Sequence, residues 1–241
     1  MKKLLLSLVL VLPFFVVAQN DAKKLLNLTE INVKYGHNEE FSEGVKKWKK
    51  CYLDNKGTEK YNLWHRVQGK GNVYVLTGWL GKWADMDKKD EAGDKCSNVV
   101  KEAIWPHVES INYNIAETMP DVSTTLDPST TIVWVTYFKV NNGTVFNEVI
   151  KETSAARTKI EGKTRGIWYD VQGGSADTPH YFVSTPFKDY AALDIETDGV
   201  WEVLEKATSK AKAEAVRANF RSSVDSMWSY IFKLEEELSF R

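Results

Sequence analysis

Residues 63–71 read LWHRVQGKG, and residues 167–175 read IWYDVQGGS. Trp64, Val67, Gln68 and Gly69 match Trp168, Val171, Gln172 and Gly173 at a spacing of 104. Self-similarity at a fixed spacing marks a duplicated unit, and the match extends outward from this stretch. The second copy carries three extra residues, after which Tyr74 matches Tyr181 and WADMD (83–87) matches YAALD (190–194) at 107. Upstream, Phe41 matches Phe146; downstream, VESINYNI (108–115) matches VDSMWSYI (224–231) at 116. The spacing grows in steps, as it does when insertions enter the loops and helices of one repeated unit.

Each copy reads into the same elements. Residues 28–35 and 131–140 are rich in β-branched and aromatic types and predict first strands. Phe41, Val45, Trp48 and Tyr52 then recur at helical spacing, as do Phe146, Ile150, Thr153, Ala156 and Ile160. The quoted stretches predict second strands over 61–68 and 165–172, turned by Gly69–Gly71 and by Gly173 and Gly174. Third strands follow at NVYVLTGWL and HYFVSTPF, then second helices whose N-caps fall at Asp87 and Asp194, because a carboxylate accepts the free amide hydrogens of a first turn. The alanine- and lysine-rich segment 200–222 reads as helical. Fourth strands close the units at 109–117 and 225–234. The order βαββαβ is that of the split, ferredoxin-like unit, so the fold class is α+β with two such repeats. Residues 118–130, MPDVSTTLDPSTT, read as the linker between a first repeat at 19–122 and a second at 123–241.

The chain opens MKKLLLSLVLVLPFFVVAQN, with two lysines, an apolar run and small residues ahead of Gln19. That is the pattern of a secretory signal peptide over residues 1–18. Its apolar run is short of the roughly 20 residues that span a bilayer, and no later run is long enough, so the expectation is an exported protein, periplasmic or extracellular, with no membrane span. Without Lys2 and Lys3 the net charge of -1 becomes -3, with acids and bases mixed along the chain. There is no basic stripe to follow a phosphate backbone, which argues against nucleic acid as a partner. A hydrophobic fraction of 43%, with nine tryptophans, supports packed cores.

Two ferredoxin-like units, each with Phe at the start of its first helix and an aromatic-Ala-x-x-Asp after its third strand, resemble the dimeric α/β-barrel superfamily. The resemblance implies two four-stranded sheets facing one another across a barrel, with helices outside, built here as a pseudo-dimer within one chain. Members of that superfamily include antibiotic-biosynthesis monooxygenase-like proteins, haem-degrading monooxygenases and chlorite dismutase-like haem proteins, so fold does not choose the activity. In such a unit the end of the first helix comes near the start of the second. Cys51 and Cys96 lie near those two points, either bridged or as separate buried thiols.

Strand alternation sorts the candidate site residues. Ile31, Val33, Tyr35, Ile111, Tyr113 and Ile115 make an apolar face in the first copy, while Asn32, Lys34, Asn112 and Asn114 make a polar one. The corresponding second-copy positions are Tyr137, Lys139, Trp228 and Tyr230. If these faces meet, they either line a cavity with stacking surfaces opposite hydrogen-bond donors, as small-molecule sites often do, or satisfy each other across a closed layer. His65, which becomes Tyr169 in the second copy, reads as an aromatic strand residue paired across the sheet, with a haem or general-base role as the alternative. A haem-degrading member of the superfamily uses an asparagine, a tryptophan and a histidine; Asn32, Trp79 and His107 are residues of those types, although Pro106 sets His107 at or beyond a helix end. His37 and His180 fall in turns. Serine-hydrolase, zinc-protease, phosphate-loop and EF-hand signatures are absent, and no metal site is expected.

These readings favour a small-molecule binding protein, the ligand lying in the barrel or between sheet and helices, with no required cofactor. A cofactor-independent or haem-dependent monooxygenase is the alternative. A third class is a structural module that self-associates into a homo-oligomer.

Overall fold

The computed structural model describes residues 23–241, so the signal peptide expected over residues 1–18 lies outside the described residues. Eight strands form: β1 (Leu25–Val33), β2 (Tyr61–Arg66), β3 (Asn72–Leu80), β4 (Val108–Thr118), β5 (Ile132–Val140), β6 (Ile167–Val171), β7 (Tyr181–Phe187) and β8 (Val224–Leu234). They close into one barrel in the order β1-β3-β2-β8-β5-β7-β6-β4. Neighbours pair antiparallel throughout. The expectation of two facing sheets is thereby corrected to a single continuous one. Its two seams are short: Trp64–Arg66 run against Phe232–Leu234, and Ala116–Thr118 against Tyr169–Val171.

Alternation along the strands divides inside from outside. Leu26, Trp64, Val75, Val135, Phe182 and Phe232 belong to the apolar cluster inside the barrel. Outside, α1 (Asn38–Asp54), α2 (Glu91–Lys95) and α3 (Ser97–Ala103) follow the first strands, and Phe41 and Val45 of α1 pack on Val33, Leu63 and Tyr74. On the other side, α4 (Gly143–Glu161) lays Phe146 and Ile150 on Phe138, Val140 and Tyr181. A further layer, α5 (Val200–Ala207) and α6 (Lys210–Ser223), buries Val203, Leu204 and Val216 against Val149 and Ala156.

Several boundaries differ from those read in the sequence. Asp87 and Asp194 close 3-10 turns, Trp83–Asp87 and Tyr190–Leu193, instead of capping helices. The cap of α2 is Asp90, whose carboxylate accepts from the Gly93 amide, and α5 starts after Gly199. Residues 200–222 break at Thr208, and Ser209 starts α6 by accepting from the Lys212 amide. β1 ends at Val33, leaving Tyr35 fully exposed and outside the apolar face assigned to it. The segment 118–130 is packed: Val122 is buried, and the Ser123 hydroxyl accepts from the Trp168 amide.

The quoted stretch also holds a register correction. Trp64 faces the barrel interior, whereas Trp168 faces the helices, stacked on Phe138. Tyr169, the sequence partner of His65, faces inward, while His65 faces outward and stacks on Tyr74. Backbone bonds agree: the Val67 amide donates to the Ile231 carbonyl, and the Gln172 amide donates to the Ile115 carbonyl. The barrel thus matches these strands at 105, one residue away from the match of letters at 104. A slip of one turns every side chain to the opposite face, so Tyr169 says nothing about what the His65 position requires.

Cys51 and Cys96 are bonded, tying the last turns of α1 to the junction of α2 and α3. Gly44 lets the same helices touch: a Cβ there would sit 2.0 Å from the Ala103 carbonyl oxygen. Backbone cannot yield cheaply, so Gly44→Ala is expected to lower stability by about 1–3 kcal/mol. A denaturation midpoint equal to that of the unmodified protein would contradict this contact.

Candidate functional site

The middle of the barrel is nearly filled, with about 70 Å³ of free space among Leu26, Val75, Val133, Tyr169 and Phe182. Larger hollows lie at one mouth of the barrel and between the second set of helices and the sheet.

The mouth hollow, about 220 Å³, collects residues from both halves of the barrel. Asn112 and Asn114 of β4 line it, with Tyr137 of β5 and Trp228 and Tyr230 of β8 opposite. These are five of the residues whose alternation marked them in the sequence. The other three stand apart. Asn32 donates to the Ser110 hydroxyl (3.0 Å), Lys34 lies beyond β1 and donates to the Pro106 carbonyl (2.7 Å), and Lys139 donates to the Ala176 carbonyl. Glu30, passed over in the sequence, also lines the hollow. Strand alternation explains its place: Glu30 stands two residues before Asn32, in the regular part of β1, where it pairs with Asn112 of β4. Among the described residues Glu30 has no ion pair or hydrogen-bond partner. Tyr137 stacks on Trp228 (5.6 Å, 17°), and burial pushes its phenol well above the usual range, so the ring stays neutral.

The second hollow, about 350 Å³, lies between the outer faces of β5–β8 and α4–α6. Phe138, Phe146, Trp168, Trp201, Phe220 and Met227 supply apolar walls. Arg157 of α4 and Thr164 are the polar features of most consequence. Arg157 has no hydrogen bond or ion pair among the described residues, and the Thr164 hydroxyl is buried with no partner. Burial first, and the neighbouring Arg165 second, hold the Arg157 guanidinium below the ordinary arginine range, with Glu161 opposing. A guanidinium nonetheless stays charged in proteins. Arg165 is fully engaged, with Glu161 at 2.5 Å and with the Thr197 hydroxyl and Asp198 carbonyl. Arg157 and Thr164 also line an adjoining hollow, whose rim carries Lys163, Lys188 and Asp127.

Helix register explains why this space exists. Counted from the starts of α1 and α4, Trp48 and Tyr52 hold the positions of Thr153 and Arg157. Trp48 and Tyr52 stack at 4.9 Å and fill the first side. On the second side a threonine and an arginine leave the volume open.

The catalytic candidates do not assemble. Trp79 pairs with Leu26 and Asn32 with Val73. Six residues of β1 separate them, about 20 Å at strand rise. His107 sits in the 3-10 turn Trp105–His107, with its Nδ1 2.9 Å from His37 Nδ1. His65 lies on the outer face of β2, its Nε2 2.9 Å from the Asn72 amide oxygen and its Nδ1 3.7 Å from Glu235. His180 accepts from the Val140 amide. No histidine lines either hollow among the described residues. Neither do three or more His, Cys, Asp or Glu converge as a metal site among them.

No family model matches the chain, and no curated protein matches it. Solved structures do. A chlorite dismutase variant from Candidatus Nitrospira defluvii aligns at 9% identity over 89% of this chain and 94% of its own, with a TM-score of 0.54. A candidate monooxygenase from Lactobacillus acidophilus aligns at 10% identity over 88% and 94%, with a TM-score of 0.53. An anthrone oxidase-like protein aligns at 10% identity over 89% and 92%, with a TM-score of 0.51. The chain therefore has a mixed α+β fold matching dimeric α/β-barrel proteins, and at these identities the likeness concerns fold alone.

Haem would need a ligand for its iron from the residues lining these hollows. Haem iron is held by histidine, cysteine, methionine or tyrosine. The sheet–helix hollow offers Met227 as its only side chain of those types. In the mouth, burial holds the Tyr137 phenol protonated, which disfavours ligation, and the other tyrosine, Tyr230, has Arg66 over its ring at 4.5 Å. Neither hollow offers a histidine or cysteine, and the lining of these two hollows does not fit haem.

Proposed function

We propose that the protein is an exported small-molecule binding protein, built from a duplicated βαββαβ unit, whose ligand is an amphipathic anion held between β5–β8 and α4–α6. The observation that carries the reading is Arg157: a charged side chain without a partner among the described residues, lining a hollow walled largely by aromatic and aliphatic side chains. A carboxylate would meet the guanidinium in two parallel hydrogen bonds and could also accept from the Thr164 hydroxyl. An apolar body would lie against Phe138, Trp168 and Phe220. At the adjoining rim Lys163 and Lys188, offset in part by Asp127, leave a net positive charge that would draw such a ligand inward. The duplication is supported by helices and strands that match between halves, with boundaries near 19–122 and 123–241. The disulfide supports export, since such bonds persist in oxidising compartments. Among the described residues no helix is long and apolar enough to cross a membrane.

The names of the similar structures favour a monooxygenase as the second reading, through fold only. The lining of the sheet–helix hollow contains no histidine, lysine or carboxylate to serve as a general base, which favours binding over turnover there. Half-exposed Ile111 and Tyr113 on the outer face of β4 support self-association as an accompanying property.

Thermal shift with straight-chain and aryl-alkyl carboxylates, and with their methyl esters, tests the reading. Carboxylates are expected to raise the midpoint and esters to leave it unchanged. Arg157→Leu should weaken binding by roughly tenfold or more, given the strength of charge-assisted hydrogen bonds. Thr153→Trp, which copies the first side of the barrel, should abolish binding while the fold persists. Equal responses to acids and esters would end the proposal.

A further inference from the structure

The mouth of the barrel presents the opposite chemistry to the sheet–helix hollow. Two carboxylates, Glu30 and Asp177, line it, and no lysine or arginine does. Four aromatic rings line the same hollow as Glu30: Tyr137, Phe182, Trp228 and Tyr230. Tyr137 is parallel to Trp228, and Tyr230 meets Tyr137 edge-on at 6.4 Å. Two cations stand nearby, each with a contact of its own, although the buried Nε of Arg66 has no partner among the described residues. Arg66 lies over the face of Tyr230 at 4.5 Å and donates to the Lys70 carbonyl, and Lys139 donates to the Ala176 carbonyl. Arg66 shows the electrostatic character of this wall: a guanidinium rests on a ring face, as the negative quadrupole of an aromatic face allows.

We infer that this mouth is a second binding site, taking a small organic cation of the substituted-ammonium class. Trp228, Tyr137 and Tyr230 form the aromatic wall against its alkyl groups, Glu30 is the counter-ion, and the amide oxygens of Asn112 and Asn114 accept from any ammonium or hydroxyl hydrogens. Glu30 is half-buried and without a partner among the described residues, so a bound cation supplies the charge that the protein does not. A hollow of about 220 Å³ suits a small cation and not a large one. The site shares β5 with the sheet–helix hollow, but Tyr137 faces the mouth whereas Thr136 and Phe138 face the helices. The two sites are therefore chemically and sterically separate, and this inference stands whether or not Arg157 binds an anion.

The test is titration of the full mature protein with choline, followed by Trp fluorescence and calorimetry. Its uncharged carbon isostere, 3,3-dimethyl-1-butanol, serves as the control. Choline should saturate one site and the isostere should bind at least tenfold more weakly, the discrimination expected of an aromatic cage with a carboxylate. Glu30→Gln, close in shape, should remove most of that discrimination, and Trp228→Leu should weaken choline binding while Arg157→Leu leaves it unchanged. Circular dichroism establishes that each variant is folded. Equal binding of choline and isostere, no binding of either, or undiminished choline binding by folded Glu30→Gln each overturns the inference.

Discussion

Replacing Cys51 and Cys96 together with alanine is expected to lower the unfolding free energy by about 4 kcal/mol on the chain-entropy estimate. The bond closes a loop with a sequence separation of 45, and without it the unfolded chain regains the freedom that the loop had removed. Little is gained in return, because Cys96 is wholly buried against α1 and its replacement by a smaller side chain also loosens packing. For a chain of this size the loss corresponds to a fall in melting temperature of roughly 8–16 °C. Reductant added to the unmodified protein should reproduce the shift, and should do nothing to the double variant. Denaturation curves that coincide with and without reductant would show that the bond contributes no stability.

Phe146→Ala should cost a similar amount, about 3–5 kcal/mol. Phe146 is 1% exposed and meets the rings of Phe138 (5.1 Å), Tyr181 (5.2 Å), Trp168 (6.2 Å) and Phe220 (6.3 Å). It also borders the sheet–helix hollow, so the volume vacated joins existing space and the neighbours have little to collapse onto. Phe146→Leu, which retains most of the apolar volume, should cost distinctly less. Equilibrium urea unfolding of both variants checks the order; equal losses would mean that ring packing at this position is immaterial.

Much of the architecture was legible because strands and helices leave different periods in the letters. All eight strands lie close to where β-branched and aromatic alternation set them, as the span 225–234 against Val224–Leu234 illustrates. What the letters obscured was register. The repeated run of Trp, Val, Gln and Gly matches best at 104, yet barrel closure matches those strands at 105, because hydrogen bonding and pleat decide facing while letter identity does not. The mouth was partly visible: alternation exposed Asn112, Asn114, Tyr137, Trp228 and Tyr230, and the same alternation puts Glu30, two residues before Asn32, on that face, although a strand carboxylate ordinarily reads as solvated. Arg157 was hidden for a different reason. An arginine on a helix ordinarily reads as a solvated charge, and only comparison of α1 with α4 position by position reveals that it replaces the buried Tyr52. A void is a relation between distant side chains, and no local pattern encodes it.

Closure of the barrel has a consequence for how the molecule meets its surroundings. An open sheet ends in strands whose backbone donors and acceptors invite another chain to add on, and that route leads to domain exchange and fibre growth. Here the short pairings of β2 with β8 and of β4 with β6 use up those ends, so the described residues offer no such template. For an exported protein, as proposed above, this arrangement would be an advantage where cytosolic chaperones are absent. Any assembly it forms must be made by side chains on its outer faces, and can be altered by substituting them without disturbing the barrel.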